Sequence, residues 1–490
     1  MSLLNINKTA LFAIAAVNIL LWSQTLTNGF VYDDNTILLG NPWVKDPGLI
    51  GDVFASSMMA FDPANAPANT YRPMLYAVFM AVNALFGLSP FWFHSLNVSL
   101  HIANAVMLFL LASCLLGNGA SGRAVLPALF GALAFSVHTI NAEVVNWVSA
   151  SAELFFTLCV LSALYIHLRW AGVLKSFAAA LLFFFGLLFK ETAAAFLPLA
   201  LLFDLALRRP VLRNWKAYAP YLVAAAVYAL MRLNAIGGVM HHKQADLSVF
   251  EAVINIFPLI AAYFSKLVLP VGLSAIYEFH SARSVLDLRV VAGAAVVLAF
   301  LAALFFSRRR PALFIGLSMM ALPLLPVLYV PALSSSAMAD RYLYLPSAGL
   351  AVVLASLAMK FDAKAAKTSI VFAVVLLVAW SAGSVARSKV WKSDYELWAD
   401  AVKKAPYSPN AHYNYAWASR NAGNLKDAIE HYRRAGELAP SADVHYSLGL
   451  IFMGQSMIDE ADFEFRAALA LDPAFDKARA ALMEIRRLKE

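Results

Sequence analysis

Charge is distributed along this chain in two regimes, and that division constrains the fold more than any single motif. From Arg387 to the C-terminus, 15 Lys and Arg and 15 Asp and Glu stand among 104 residues, the density of an ordinary soluble domain. The 386 residues before them hold only 23 basic and 15 acidic residues, roughly one in ten against about one in four for soluble domains. With 61% hydrophobic residues and a mean hydropathy of +0.68, the first part has too little polar surface to face water. It reads as a polytopic membrane domain over 1–386, followed by a small soluble domain over 387–490. Disordered, collagenous and disulfide-scaffold classes are excluded by the same composition. The net charge of +8 lies wholly in the membrane part, where basic cytoplasmic loops account for it without a nucleic-acid partner. Cys114 and Cys159 both sit in apolar runs, with no disulfide framework and no zinc-ligand spacing.

Apolar runs near 9–26, 91–116, 124–138, 147–169, 175–190, 192–207, 216–235, 290–307, 312–331, 344–360 and 368–386 predict eleven spans. The first follows Lys8, and the Trp22-Ser23-Gln24-Thr25 that ends it is a poor cleavage site, so it reads as an uncleaved span. Two more stretches, Pro73–Phe86 and 252–269, are decided by charge bias. If both lie in the interface as amphipathic helices, Arg123, Arg169, Lys175, Arg208, Arg209, Arg213, Lys216, Arg308, Arg309, Arg310, Lys360, Lys364 and Lys367 all face one side, as the positive-inside rule asks. The N-terminus is then cytoplasmic and the soluble domain lies outside. Two long outer loops follow, 27–90 and 235–289, and a site is expected there.

The soluble part repeats. At an offset of 33 residues Ala416 meets Gly449, Ala428 meets Ala461, Tyr432 meets Phe465, Ala435 meets Ala468 and Pro440 meets Pro473. Small residues recur where paired helices touch and large ones where they interlock, which is the tetratricopeptide (TPR) pattern, one residue short of the usual 34. The predicted units are 409–440 and 442–473, preceded by a degenerate unit over 390–406 and closed by a capping helix over 474–490. A concave groove suited to a peptide is implied; a spacer or an oligomer contact is the alternative.

Ionisable groups in or beside spans are costly and so are candidates for function. On this topology they collect at the outer face: Asp33 and Asp34 after the first span, Arg72 opening an interfacial stretch, His138 and Glu143 between the third and fourth spans, and Glu153 further on. Lys190 and Glu191 join the fifth and sixth spans, and Arg232 ends the seventh. His241, His242 and Glu278 lie in the second loop, and Asp340 and Arg341 precede Tyr342. A transporter would concentrate such groups at the midplane in broken, symmetric helices; an enzyme working at the outer leaflet would show this one-sided pattern. Each residue also has a plainer reading. Asp33-Asp34 is a solvated turn, Arg72 and Arg341 are headgroup anchors, Lys190-Glu191 is a local pair, and His241-His242 is an exposed loop. His138 and Glu143 are two metal ligands without a third. Glu153, inside its span, requires a basic partner. Asp204 is read as pairing with Arg208 at i,i+4.

Several of these segments, in order, resemble the TMTC family, the eukaryotic transmembrane-and-TPR O-mannosyltransferases, and their prokaryotic relatives. They are Phe30-Val31-Tyr32-Asp33-Asp34 with Asn41-Pro42, Tyr71-Arg72-Pro73, Phe135-Ser136-Val137-His138 with Glu143-Val144-Val145, and Phe189-Lys190-Glu191. The last is Arg341-Tyr342-Leu343-Tyr344-Leu345-Pro346-Ser347-Ala348-Gly349. The TPR tail occupies the same place. The resemblance implies an all-α fold of the GT-C glycosyltransferase type, a polyprenyl-phosphate-linked sugar as donor, an outer-face acceptor and an acidic motif in the first outer loop. Three departures stand out: His138-Thr139 replaces His-Pro, Ser149 to Glu153 replaces Gly-Arg-Ala-Asp, and the TPR array is short.

For such a reaction Asp33 or Asp34 is expected as the general base. Arg341, Arg232 or Lys190 would hold the donor phosphate, and Tyr342 and Tyr344 would line the lipid or sugar pocket. Arg72, His138, Glu143, Glu153, Glu191 and His241 complete the outer-face set. A divalent metal, Mg or Mn, at Asp33 and Asp34 is left as an alternative without a visible third ligand. The TPR groove would present a protein or peptide acceptor. Rival readings are a transferase acting on a lipid or glycan, an oligosaccharide ligase with a diphosphate donor, and a non-enzymatic envelope scaffold. The short array leans toward a bacterial inner membrane with the TPR domain in the periplasm.

Overall fold

The computed structural model describes residues 3–62, 69–117, 122–169, 173–211, 215–238, 248–328, 338–360 and 366–489. Their regular structure is helical throughout, with no strand among them. The chain forms two compact units, one comprising Met1–Leu273 with His280–Lys392 and the other Ser274–Phe279 with Ser393–Glu490.

In the first unit, nine helices among the described residues are long and apolar enough to cross a membrane: Lys8–Thr27, Pro90–Gly117, Val148–Arg169, Trp215–Ile236, Val249–Val268, Leu288–Ser307, Pro311–Leu328, Asp340–Ala358 and Thr368–Val390. A tenth forms if Val125–Val137 and Thr139–Asn146, bent by 46°, count as one span. The expectation is about eleven, and the difference lies in the shorter apolar helices. The 175–190 and 192–207 runs give helices of only 17 and 11 residues, Val173–Phe189 and Phe196–Ala206, parted by the 3-10 turn Glu191–Ala195. At about 1.5 Å per residue each is shorter than the roughly 30 Å hydrocarbon layer. The stretch expected in the interface near 252–269 is instead a 20-residue helix of spanning length, its start fixed by a Ser248–Glu251 capping box. Pro73–Phe86 is a 14-residue helix.

Helices meet closely where side chains are small. A Cβ placed on Gly349 would lie 2.7 Å from the Gly316 carbonyl oxygen, and one on Gly131 would lie 2.6 Å from that of Ala351. Small residues let backbones approach where lipid supplies no hydrophobic drive. Polar pins also tie helix ends together. The Asp204 partner is Arg209 at 3.2 Å, not Arg208, because Arg208 takes a left-handed backbone (φ 54°) at the end of its helix. Tyr218 and His167 close on the same carboxylate. Arg213 and Lys364, counted in the charge bias, lie outside the described residues.

The second unit stacks Asp394–Lys404, Pro409–Asn421, Leu425–Leu438, Ala442–Gly454, Ile458–Leu471 and Asp476–Lys489. The repeat positions form its core: Ala416, Ala428, Tyr432, Ala435, Ala461, Phe465 and Ala468 are all buried. Equivalent positions also meet across each helix pair, as His412 with His431 in one repeat and His445 with Glu464 in the next. Glu278 joins this unit by accepting the Tyr407 backbone N–H at 2.7 Å.

The turn within each repeat uses the left-handed region, at Gly423 (φ 84°) and at Ser456 (φ 62°), again 33 residues apart. Glycine accepts that backbone freely and serine does not. Gly423→Ala is therefore expected to destabilise this unit by about 1 kcal/mol, with Ser456→Gly moving the other way. Chemical denaturation followed through the helical signal measures both.

Candidate active site

The site is built around buried backbone that is not regular helix. Between Val125–Val137 and the long helix Ser151–Arg169 the chain passes through two 3-10 turns, Thr139–Asn141 and Val148–Ala150, and one short helix, Ala142–Asn146. Every residue from Ala134 to Leu154 is buried. Inside a membrane such backbone must find hydrogen-bond partners within the protein. Pro90–Gly117 supplies them from one face. Asn97 donates to the carbonyls of Val145 and Trp147 and accepts from the Ser151 hydroxyl. His101 donates through Nε2 to the Ser136 carbonyl and accepts from the Tyr344 hydroxyl at Nδ1. Asn104 donates to the Leu154 carbonyl, and Trp22 donates to Ser136 as well. Asn146 is a hub. Its oxygen accepts from Thr25 and Asn28, and its amide donates to Ser388.

Against this frame lies the acidic loop that follows the first span. Tyr32 has a left-handed backbone (φ 58°), a conformation costing a non-glycine residue about 1–3 kcal/mol and held only by its surroundings. Its ring stacks on Trp147 at 5.2 Å. The turn separates the two carboxylates. Asp34 is fully buried. One of its oxygens accepts from the backbone N–H and hydroxyl of Ser149, and the other from the Val31 N–H at 3.1 Å. Burial pushes its carboxyl up to about 7, against the pull of those donors. Asp33 is half-buried, and no side-chain hydrogen bond or ion pair engages it among the described residues. Burial raises its pKa above the ordinary aspartate value, and the Arg341 guanidinium opposes the rise.

Three ion pairs surround the loop, each between distant parts of the chain. Arg341 binds Glu143 at 2.9 Å. Lys190 binds the Glu153 carboxylate, with both side chains buried. Arg72 grips Glu191 through a fork, Nη2 at 3.0 Å and Nε at 3.5 Å. Burial raises the Glu191 pKa, but Arg72 and Lys190 overcome it and hold the carboxyl at about 2. Lys190 and Glu191 are thus not a local pair; adjacent residues in an extended turn point to different partners. Tyr342 links two of the pairs, its ring 4.8 Å from the Lys190 ammonium and 5.1 Å from the Arg341 guanidinium. Arg341 also lies over Trp147 at 5.2 Å.

Other expected residues lie elsewhere or serve the frame. Tyr344 is fully buried against His101 and Phe135, so it lines no pocket. His138 caps the turn after it: Nδ1 accepts from Ile140 N–H and Nε2 donates to the Leu267 carbonyl, which leaves no nitrogen for a metal. Arg232 donates to the Asn69 carbonyl at 3.0 Å. His241 and His242 lie outside the described residues. The donor set does not suit a divalent ion at Asp33 and Asp34. Both Asp34 oxygens are engaged, and no group of three His, Cys, Asp or Glu among the described residues could hold an ion.

Sequence reasoning missed Trp147, Ser149, Asn146 and Trp391, and also the polar stripe His94, Asn97, His101 and Asn104. The stripe carried a signal: its 3-4-3 spacing puts four polar groups on one face of an apolar helix. Lys190→Met would strand the Glu153 carboxylate in the core. Breaking a buried pair in this way costs about 3–5 kcal/mol, so the variant is expected to lose thermal stability, and Glu153→Gln with Lys190→Met is expected to regain much of it.

Comparison with known proteins adds to this geometry. Two stretches match the tetratricopeptide repeat, residues 409–442 and 442–475. The membrane unit and the tail together are similar to protein O-mannosyl-transferase F38B6.6 of Caenorhabditis elegans, 25% identical over 88% of this chain and 63% of the relative. They are likewise similar to human protein O-mannosyl-transferase TMTC1, 25% identical over 87% of this chain and 55% of that one. Mouse protein O-mannosyl-transferase TMTC4 is 26% identical over 86% and 66%. The chain thus spans between about half and two-thirds of these relatives' length. No solved structure matches. With an apolar helical unit and a TPR tail, the chain is similar, at about 25% identity over most of its length, to the TMTC-family protein O-mannosyl-transferases.

Proposed function

We propose that the protein is a membrane glycosyltransferase. It moves a sugar from a polyprenyl-phosphate donor to a hydroxyl, most naturally on a protein, at the periplasmic face of a bacterial inner membrane. The relatives' printed names support the reaction class and point to mannose as the sugar. The single observation that carries the site assignment is the contrast between the two aspartates. Asp34 is consumed by Ser149 and Val31, whereas Asp33 keeps an unengaged carboxyl facing the charge of Arg341.

In this reading Asp33 is the general base. The acceptor oxygen forms a bond to the anomeric carbon as its proton passes to the Asp33 carboxylate. The bond from that carbon to the phosphate oxygen breaks, the polyprenyl phosphate departs with the electron pair, and the configuration inverts. Arg341 meets the growing negative charge on the phosphate, where its fork can bond two oxygens. Glu143 holds the guanidinium in place, while Lys190 and Arg232 bring further positive charge. No step runs through a metal. Trp391 belongs to the site's aromatic cluster and the repeat unit begins at Ser393. The repeat unit would be suited to presenting an acceptor peptide.

The test is transfer from polyprenyl-phosphate mannose to peptide by the full-length protein in nanodiscs. Asp33→Asn is expected to lose about 10²–10⁴-fold in rate with unchanged thermal stability. Asp34→Asn cannot accept from all three of its donors, so it should lose about 1–3 kcal/mol of stability as well. Arg341→Lys should fall by at least about tenfold, since a point charge replaces a fork. No transfer by the wild type, or full activity in Asp33→Asn, overturns the proposal.

The pH profile gives a second check. A base must be unprotonated, so the rate rises with pH through its pKa. Burial places that limb above the usual aspartate value of about 3.9. Arg341 lowers the Asp33 pKa, so Arg341→Gln should move the limb of the residual rate upward.

A further inference from the structure

The aromatic groups around the acidic loop form a ladder that the reaction scheme does not use. The Tyr32 ring stacks on Trp147 at 5.2 Å with 17° between planes, and Trp147 stacks on Trp391 at 5.9 Å with 23°. Arg341 lies over Trp147 and Arg387 over Trp391. Trp147 and Trp391 are both buried, and among the described residues neither indole N–H has a hydrogen-bond partner. Buried donors are rarely left this way, so the stack is kept at the expense of hydrogen bonding. The same turn is stapled by two hydrogen bonds: the Gly29 backbone N–H donates to the Lys392 carbonyl at 3.1 Å, and the Asn146 side-chain amide donates to the Ser388 hydroxyl at 2.9 Å.

The two ends of the ladder matter. At one end Tyr32 holds the left-handed backbone that directs Asp34 inward and leaves Asp33 facing Arg341. At the other, Trp391 is followed within two residues by the first residue of the repeat unit. Arg341 and Tyr32 share the Trp147 ring, so the base and its opposing charge are registered against one plane.

We propose that Trp391 is a positioning residue. Through Trp147 and Tyr32 it sets the Asp33 loop against Arg341, so the last turn before the repeats is part of the site's scaffold. The kinetic consequence rests on the transferase reading; the structural consequence does not.

The experiment compares Trp391→Leu, which keeps an apolar filling but loses the ring, with Trp391→Phe, which keeps a ring, in the full-length protein in nanodiscs. Hydrogen exchange is read at residues 31–39 and transfer kinetics alongside it. In Trp391→Leu, exchange over 31–39 is expected to rise at least tenfold with protection of Pro90–Gly117 unchanged. The value of kcat should fall about tenfold and the donor KM stay near the wild type. Trp391→Phe should restore both. Unchanged exchange in Trp391→Leu overturns the proposal, and so does loosening spread along the whole chain or equal loosening in Trp391→Phe. Local loosening in a protein whose wild type transfers no sugar sustains the positioning role and sinks the transferase reading instead.

Discussion

Buried backbone that is not regular helix has to be hydrogen-bonded by something, and the segment from His138 to Ala150, with the helix ends beside it, imposes that requirement on the rest of the membrane unit. In lipid an unpaired carbonyl costs several kcal/mol, so polar side chains are recruited from sequence-distant helices to meet it. Asn97, His101 and Asn104 line one face of Pro90–Gly117 for this purpose. Ser384 does so from the last span and Trp22 from the first, while Ser388 and Thr25 hold the Asn146 side chain. The irregular segment in turn carries Glu143, Trp147 and Ser149, the residues that hold Arg341, Tyr32 and Asp34. Structural pins and the candidate site are two sides of one short stretch of chain.

Charge in the site is organised by pairing at a distance. Arg341 with Glu143, Lys190 with Glu153 and Arg72 with Glu191 each join elements far apart in sequence. A buried pair is weak evidence for stability in itself. Three around one loop instead hold cations in fixed positions, which is the condition for meeting charge as it develops in a transition state. Among these residues Asp33 stands out because the turn at Tyr32 sends its neighbour inward and leaves it half-buried, within reach of the charge of Arg341.

Much was legible in the sequence because it depended on composition or period. The membrane and soluble regimes followed from charge density. The repeat core followed from the 33-residue recurrence, whose matched alanines and aromatics are buried; the left-handed turns at Gly423 and Ser456 keep the same period but came only from the structure. The need of Glu153 for a basic partner followed from the cost of a carboxylate within a span, and Lys190 is that partner. Local spacing misled where the contact was not local. Lys190 and Glu191 are neighbours that do not pair, Asp204 reaches past Arg208 to Arg209, and His138 is spent on backbone. Apolar length near 175–207 did not foresee the 3-10 turn that parts two short helices there, and charge bias set 252–269 in the interface where the helix is of spanning length.

By itself the sequence determined what the chain is made of: a helical membrane unit, a TPR tail and a set of ionisable residues too costly to bury without purpose. Hydrophobicity, repeat period and charge density are sums over residues, so they survive without knowledge of contacts. Only the tertiary structure decided what each of those residues does. Asp33 and Asp34 are identical in chemistry and adjacent in the chain. They differ because a left-handed turn at Tyr32, held by a ring on Trp147, gives one to Ser149 and leaves the other facing Arg341. Such a distinction rests on contacts between residues more than a hundred positions apart, and no local pattern encodes them.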